Sequence, residues 1–452
     1  MPITYQSAVD SLFALGPELA NKTRRKFDLD HMRRLMAAMG DPERRFPSIL
    51  VAGTNGKGST AALTASILRV SGRRTGLYTS PHLVEVNERI RVDDEPIGDA
   101  EFAVIHSRVE ETAQRLVASG ELPFHPSFFE MMTAMAFEYF ASRSIDIAVL
   151  EVGLGGRLDA TNIIEPAISI ITDIALDHQE WLGETITEIA REKAGIIHAN
   201  GVVILLPQHP DANEALGRTV LSRGARAISA VEYMPHSIPQ AGFFGESIRP
   251  RQRYSIEIMG RVMEIESSLL GGHQVRNIAL AVAACTELTK RFGYAISPDH
   301  IAVGISRTVW PGRFEVFAPT DGSPEIVLDV AHNPAGAWAL RSSLSHHYPD
   351  RDITMLFGCM RDKPIAELAC ILFPLAHRVI VTQVDNPRAA TPREVAEAGD
   401  RVGTEITLAP SIGDALASAR SITKSGGLIV ITGSVYLVGA ALSLLRRTGL
   451  PT

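Results

Sequence analysis

Short apolar runs recur along the chain at residues 48–52, 145–152, 167–172, 202–206, 326–330, 353–357, 379–382 and 428–432, and each leads through a loop into a stretch of helical period. Runs that short and that apolar bury both faces, which suits strands covered by helices on either side. The pattern predicts an α/β protein with parallel-rich sheets. A chain of 452 residues exceeds one ordinary core, so two domains are expected. The boundary falls at Trp310-Pro311-Gly312, after a helix near 278–292 and before a fresh strand start at Arg313-Phe314-Glu315-Val316. Residues 1–309 and 313–452 are the two expected domains. Within the first, residues 208–268 turn polar, with Pro, Gly and alternating pieces such as Tyr254-Ser255-Ile256-Glu257-Ile258, which predicts a β-rich addition.

A hydrophobic share of 45% with 21% charged residues is the balance of a globular protein. The formal charge of −7 argues against general nucleic-acid binding, which depends on a basic surface. Cys285, Cys359 and Cys370 are odd in number and lack metal-ligand spacing, which points to a reducing, cytoplasmic setting. No signal-peptide core follows Met1. Residues 425–445 carry no charge and could span a bilayer by length, but Gly433-Ser434 divides them into a β-rich half and a helical half. A buried strand, a tight turn and a covering helix are expected there, with no membrane partner.

The segment Val51-Ala52-Gly53-Thr54-Asn55-Gly56-Lys57-Gly58-Ser59-Thr60 lies between a strand and a helix over 61–70. Glycines let successive N–H groups turn inward, the helix start adds positive potential, and Lys57 can meet terminal phosphates. Ser59 or Thr60 offers a hydroxyl to Mg²⁺. The spacing is two residues shorter than the general phosphate-loop pattern, and a ligand-free glycine turn is the plain alternative. Acidic and neutral groups stand at other strand ends. Glu151 closes the run from 145 and precedes Gly153-Leu154-Gly155-Gly156-Arg157-Leu158-Asp159, and Asp177-His178 follows the run from 168. Lys193 falls on the apolar stripe Ile186, Ile189, Ile196, Ile197 of a helix over 186–197. Such a lysine either pairs with a carboxylate such as Glu192 or Glu188, or stands as a neutral amine able to take up CO₂ as a carbamate ligand for Mg²⁺.

Gly53-Thr-Asn-Gly-Lys-Gly-Ser59, Thr79-Ser80-Pro81-His82-Leu83, Leu176-Asp177-His178, Arg191-Glu192-Lys193-Ala194-Gly195 and Asp329-Val-Ala-His-Asn-Pro334 together resemble the ordered motifs of the folylpolyglutamate synthase and dihydrofolate synthase family, within the Mur ligase superfamily. The resemblance implies a P-loop ATPase domain and a smaller Rossmann-like carboxyl-terminal domain with the active site between them. It implies ATP contacts from Thr54, Asn55, Gly56, Lys57, Gly58, Ser59, Asn277, Arg313, Asp329 and His332, and magnesium ligands, for two ions, from Ser59, Ser80, Glu151, His178 and an N6-carboxylated Lys193. Folate or pteroate would meet the loop 79–90 with Ser80, Pro81 and His82, then Ser127, Phe128, Phe129 and Glu130, and Leu158, Asp159 and Ala160. One stretch departs from related bacterial enzymes: Asp28-Leu29-Asp30-His31 stands where they read Asp-Leu-Gly-Leu.

The implied reaction is ATP-dependent ligation of L-glutamate to a folate or dihydropteroate carboxylate through an acyl phosphate, with Lys57, His178, Lys193 and His332 as catalytic groups, in a monomer. A Mur-type peptide ligase on a nucleotide-linked substrate would bring a further amino-terminal domain, whereas the phosphate-loop strand begins at Ser48. A nucleotide-binding module without ligase activity would leave Lys193 and the Ser80-Pro81-His82 loop without a role.

Overall fold

The computed structural model describes residues 3–16, 29–236, 239–242, 250–317 and 323–447. In the first part of the chain, β1 (Ser48–Ala52), β2 (Thr75–Tyr78), β3 (Ile90–Val92), β4 (Glu95–Pro96), β5 (Ile147–Glu151), β6 (Ile168–Ile171), β7 (Val202–Leu205) and β8 (Arg226–Ser229) form one sheet in the order β4-β3-β2-β5-β1-β6-β7-β8. Pairing from β2 through β8 is parallel, while β3 and β4 run antiparallel at one edge. β1, β2, β5 and β6 are buried at every position, as strands covered on both faces are. The order places the carboxyl ends of β2, β5, β1 and β6 side by side, which is where crevices open in a parallel sheet.

β9 (Gln240–Gly242), β10 (Arg251–Ile258) and β11 (Arg261–Ser267) make a separate three-stranded sheet, and β10 alternates buried and exposed residues. The β-rich stretch expected over 208–268 therefore needs correction. It opens with a helix, Pro210–Arg223, and with β8, which completes the main sheet. Pro210 read as a loop signal, but it sits at the first helical position behind the His209 cap, where a missing N–H costs nothing.

β12 (Glu315–Phe317), β13 (Glu325–Asp329), β14 (Ile353–Phe357), β15 (Arg378–Val381), β16 (Glu405–Leu408) and β17 (Leu428–Thr432) form a six-stranded sheet in the order β12-β13-β17-β14-β15-β16. Only the β12–β13 pair is antiparallel. The uncharged stretch near the carboxyl end becomes β17 and the helix Val435–Arg447, and among the described residues no helix is long and apolar enough to cross a membrane.

By contacts the chain divides into two compact units, one of residues 1–234, 256–263 and 276–305, the other of 235–255, 264–275 and 306–452. Each has its own core. In the first, Met131, Met135 and Phe137 of the helix Phe128–Ser142 pack with Leu50, Ala148 and Leu150 of the sheet. In the second, Phe357, Val379 and Val430 pack with Leu368, Leu372 and Phe373.

Candidate active site

Ala52 ends β1, and the chain turns at once into the helix Lys57–Val70, which starts earlier than the apolar pattern indicated. Gly53 (φ +153°) and Gly56 (φ +90°) make that turn, and a Cβ would collide with Thr172 at the first and with Asn277 at the second. Thr54 N and Asn55 N donate to Asp173 O at 2.8 and 3.2 Å. Thr54 Oγ1 donates to Ala175 O (3.1 Å) and accepts from Ala175 N (3.0 Å), and Lys57 Nζ donates to Thr54 O at 3.2 Å. The loop is thus fixed before any ligand arrives, and it ends on a helix amino terminus, which favours an anion. Gly58, Ser59 and Thr60 are buried in the first helical turn, and Thr60 Oγ1 has no partner among the described residues.

Lys193 lies in the helix Ile186–Ala194, which stops short of the expected 197 because Gly195 caps it. It is 4% exposed, and its Nζ donates to Gly53 O at 2.7 Å. Neither expected carboxylate neutralises it: Glu192 pairs with Arg157, and Glu188 caps the helix start at Thr185. Burial, with Lys57 nearby, lowers the Lys193 amine to about 7, and Asp177 and Asp159 oppose the shift only in part. A large neutral fraction at physiological pH follows.

Glu151 closes β5 beside β1, is 4% exposed, and accepts a hydrogen bond from Ser80 N at 3.1 Å. His178 adopts a left-handed conformation (φ +52°) at the start of a short helix, with Nε2 3.9 Å from Asp177 Oδ2. Among the described residues no three His, Cys, Asp or Glu side chains converge as a metal cage. The oxygen donors past the strand ends and in the first turn of the helix Lys57–Val70 are instead hydroxyls and a carboxylate, Ser59, Thr60, Ser80 and Glu151. That hard-oxygen set fits Mg²⁺, which is commonly held through one or two carboxylates plus nucleotide phosphates.

The expected acid-binding residues form one neighbourhood. Ser127 caps the helix Phe128–Ser142 in a reciprocal capping box with Glu130. Phe129 covers Gly153 so closely that a Cβ there would strike its ring, and it packs near Tyr78 at 6.0 Å between centroids. Asp159 caps the turn Ala160–Ile163 and accepts from Gly153 N and Leu154 N, both at 3.0 Å, and burial raises its carboxyl against those bonds. Leu158 is half-buried and Pro81 is exposed. Burial, then the Arg89 guanidinium, pulls His82 down to about 3. Arg89 Nε donates to His82 Nδ1 at 2.9 Å, which fixes a neutral ring protonated at Nε2. Asp28 lies outside the described residues, whereas His31 is 6% exposed and bonded to Glu130.

In the second unit, Asp329 ends β13 and accepts from Phe314 N and Ala331 N, both at 2.9 Å. Burial raises its carboxyl while Arg313 and these amides hold it down. His332 donates Nδ1–H to Val330 O at 2.8 Å, and Asn333 caps the helix Pro334–His347.

Three residues escaped the sequence reading. Arg276 grips the Asp173 carboxylate, and Thr172 closes over Gly53. Asp173 stands just past a strand end, as Asp177 does, and Arg276 precedes Asn277; those adjacencies were the only signals.

Two domains of known families match the chain in order: the Mur ligase middle domain over residues 51–285 and the Mur ligase glutamate ligase domain over 312–435. They define a Mur-type ATP-dependent ligase. Folylpolyglutamate synthase of Lacticaseibacillus casei is 37% identical over 414 residues, 91% of this chain and 93% of that protein. Dihydrofolate synthase/folylpolyglutamate synthase of Bacillus subtilis is 33% identical over 415 residues, 91% of this chain and 93% of that one. The structure of Mycobacterium tuberculosis folylpolyglutamate synthase complexed with ADP superimposes with a TM-score of 0.87 at 33% identity, covering 97% of this chain and 99% of the other. The chain belongs to the folylpolyglutamate synthase/dihydrofolate synthase family.

Proposed function

We infer that the chain is an ATP-dependent ligase that joins the amine of L-glutamate to the carboxylate of a folate, and that it accepts dihydropteroate as well. Family membership supports the ligase chemistry, and the name of the B. subtilis relative pairs the two activities. Within the site, the observation that carries the reading is the buried Lys193 amine against the carbonyl of Gly53, which ties an activatable lysine to a phosphate loop.

In this reading Thr54, Asn55, Gly56, Lys57, Gly58 and Ser59 hold the ATP phosphates, Asn277 supports the loop at Gly56, and Arg313, Asp329 and His332 complete the ATP contacts. Ser80, Pro81, His82, Ser127, Phe128, Phe129, Glu130, Leu158, Asp159 and Ala160 face the folate or pteroate. Magnesium, held by Ser59, Ser80, Glu151, His178 and an N6-carboxylated Lys193, would supply charge neutralisation at the phosphates. The neutral fraction of Lys193 suits CO₂ uptake, since only the free amine forms a carbamate.

A carboxylate is a poor electrophile. Its oxygen attacks the γ-phosphorus, the bond from that phosphorus to the β,γ-bridging oxygen breaks, and ADP leaves. Lys57 and the loop amides meet the charge that builds on the transferring group. The neutral glutamate amine then attacks the acyl carbon and releases one proton to the medium, the C–O bond breaks, and phosphate departs carrying one oxygen of the original carboxylate. His332 is assigned to the charge of the tetrahedral intermediate. The free thiols Cys285, Cys359 and Cys370 fit a cytoplasmic setting, and the enzyme is read as a monomer.

An oxygen-label experiment tests the route. Folate substrate labelled with ¹⁸O in its carboxylate should yield phosphate containing one ¹⁸O per turnover; unlabelled phosphate would rule out the acyl phosphate.

A further inference from the structure

Residues 124–127 lead into the helix Phe128–Ser142, and two histidines grip their backbone. His31 places Nε2 3.0 Å from Phe124 O and Nδ1 2.9 Å from Glu130 Oε1, with its ring stacked on Phe124 at 4.5 Å between centroids. His125 repeats the arrangement, with Nδ1 2.9 Å from Pro126 O and Nε2 3.2 Å from both Glu110 oxygens. A carbonyl and a carboxylate only accept, and a neutral imidazole carries one N–H, so a ring that makes both bonds needs its second proton. Making both bonds at once therefore requires the imidazolium form at each histidine, each facing a glutamate.

We propose that His31 and His125 are positioning residues: as imidazolium ions they clamp residues 124–127, set the start of the helix that carries Phe128, Phe129 and Glu130, and make the grip on the acid substrate depend on pH. The proposal rests on the assignment of Ser127 to Glu130 to folate binding. Surrounding charges favour the pairs. Around His31 stand Glu130 and, on its own helix, Asp30, which pairs with Arg34; Arg34 also holds Glu121 O at 3.0 Å. The turn Ala160–Ile163 packed on that helix has one titratable side chain, its cap Asp159, which is bonded to Gly153, Leu154 and Thr161. The helix Asp99–Ala118 presents Glu110 and the buried His106, whose ring burial shifts toward the neutral form while Glu110 opposes that shift.

The Glu110 hydrogen bond raises His125, and outweighs burial. Burial pushes Glu130 up, but bonds from His31 and Ser127 outweigh it and leave it below its ordinary value; Glu110 is held low chiefly by His125. The sign follows. The histidine contribution is complete below about pH 6.5 and is lost as pH rises through the raised His125 value, while the carboxylate contribution is present above about pH 4.3 and lost as pH falls through the lowered glutamate values.

The test uses full-length enzyme carrying ¹⁵N-histidine, with KM measured for the acid and for ATP across pH. His31 and His125 should show two protonated ring nitrogens at about pH 6, and KM for the acid should rise above neutrality by more than KM for ATP does. His31→Gln and His125→Gln should each raise KM for the acid about fivefold to tenfold, flatten its pH dependence and leave kcat within about twofold, the scale of one lost hydrogen bond of ordinary strength. A singly protonated ring at either histidine at that pH overturns the proposal, as does a change in melting temperature with no change in KM. Phe129→Ala separates the two ideas. If it leaves KM for the acid unchanged, the substrate assignment fails and takes the proposal with it; if it raises KM while the histidine variants do not, the proposal alone fails.

Discussion

The guanidinium of Arg276 donates to both oxygens of the Asp173 carboxylate, Nη2 to Oδ1 at 2.6 Å and Nε to Oδ2 at 2.9 Å, while the backbone carbonyl of Asp173 receives the N–H groups of Thr54 and Asn55. One residue thus joins an ion pair to the shape of the phosphate loop. Arg276→Ala should raise KM for ATP by about tenfold, a loss of roughly one charge-assisted, bidentate contact. Because the two side chains act as a unit, the double variant with Asp173→Ala should be no worse than the poorer single variant, and additive losses would show that they act separately.

Gly53 tests the loop itself. Its φ of +153° and the Thr172 side chain leave no room for a Cβ. Gly53→Ala should cost more than the ~1 kcal/mol of an ordinary glycine replacement, and ATP binding measured by calorimetry should weaken by at least about tenfold. Unchanged affinity would mean that the loop can relax, contrary to its anchoring on Asp173 and Ala175.

Lys193 carries two expectations. Its amine is lowered to about 7 in the folded protein, against about 10.4 unfolded, so the unfolded chain binds more protons between those values and the stability of the folded state rises with pH there. Lys193→Met should remove that rise, read as a smaller slope of denaturant midpoint against pH above about 7.

Lys193→Met should also lower kcat by at least about a hundredfold, as expected for loss of a group that organises charge at the transferring phosphoryl. In wild-type protein equilibrated with ¹³C-bicarbonate, a carbamate resonance should appear, and should be absent from the variant. Removing magnesium with a chelator should abolish turnover, and adding it back should restore it.

Much of the α/β architecture and the glycine turn after β1 were legible because their signals are local. The run over 48–52, the glycines at 53 and 56 and the hydroxyls at 59 and 60 lie within a few residues of each other, and an inward lysine at 193 shows in the helical stripe. Arg276 and Asp173 are 103 residues apart, and nothing in either neighbourhood names the other. His31 stood out only as part of a departing stretch and His125 not at all, since their partners are backbone carbonyls and glutamates on other elements. The helix Pro210–Arg223 was hidden by its own starting proline and its exposed, polar face.

The most direct test of the account is the mass of the product. Purified protein with MgATP and L-glutamate should convert both 7,8-dihydropteroate and a reduced folate to species heavier by one glutamyl unit, with one phosphate released for each. Product from one acid alone would assign the enzyme to that branch, and absence of product from both, with ATP intact, would contradict the folate ligase reading.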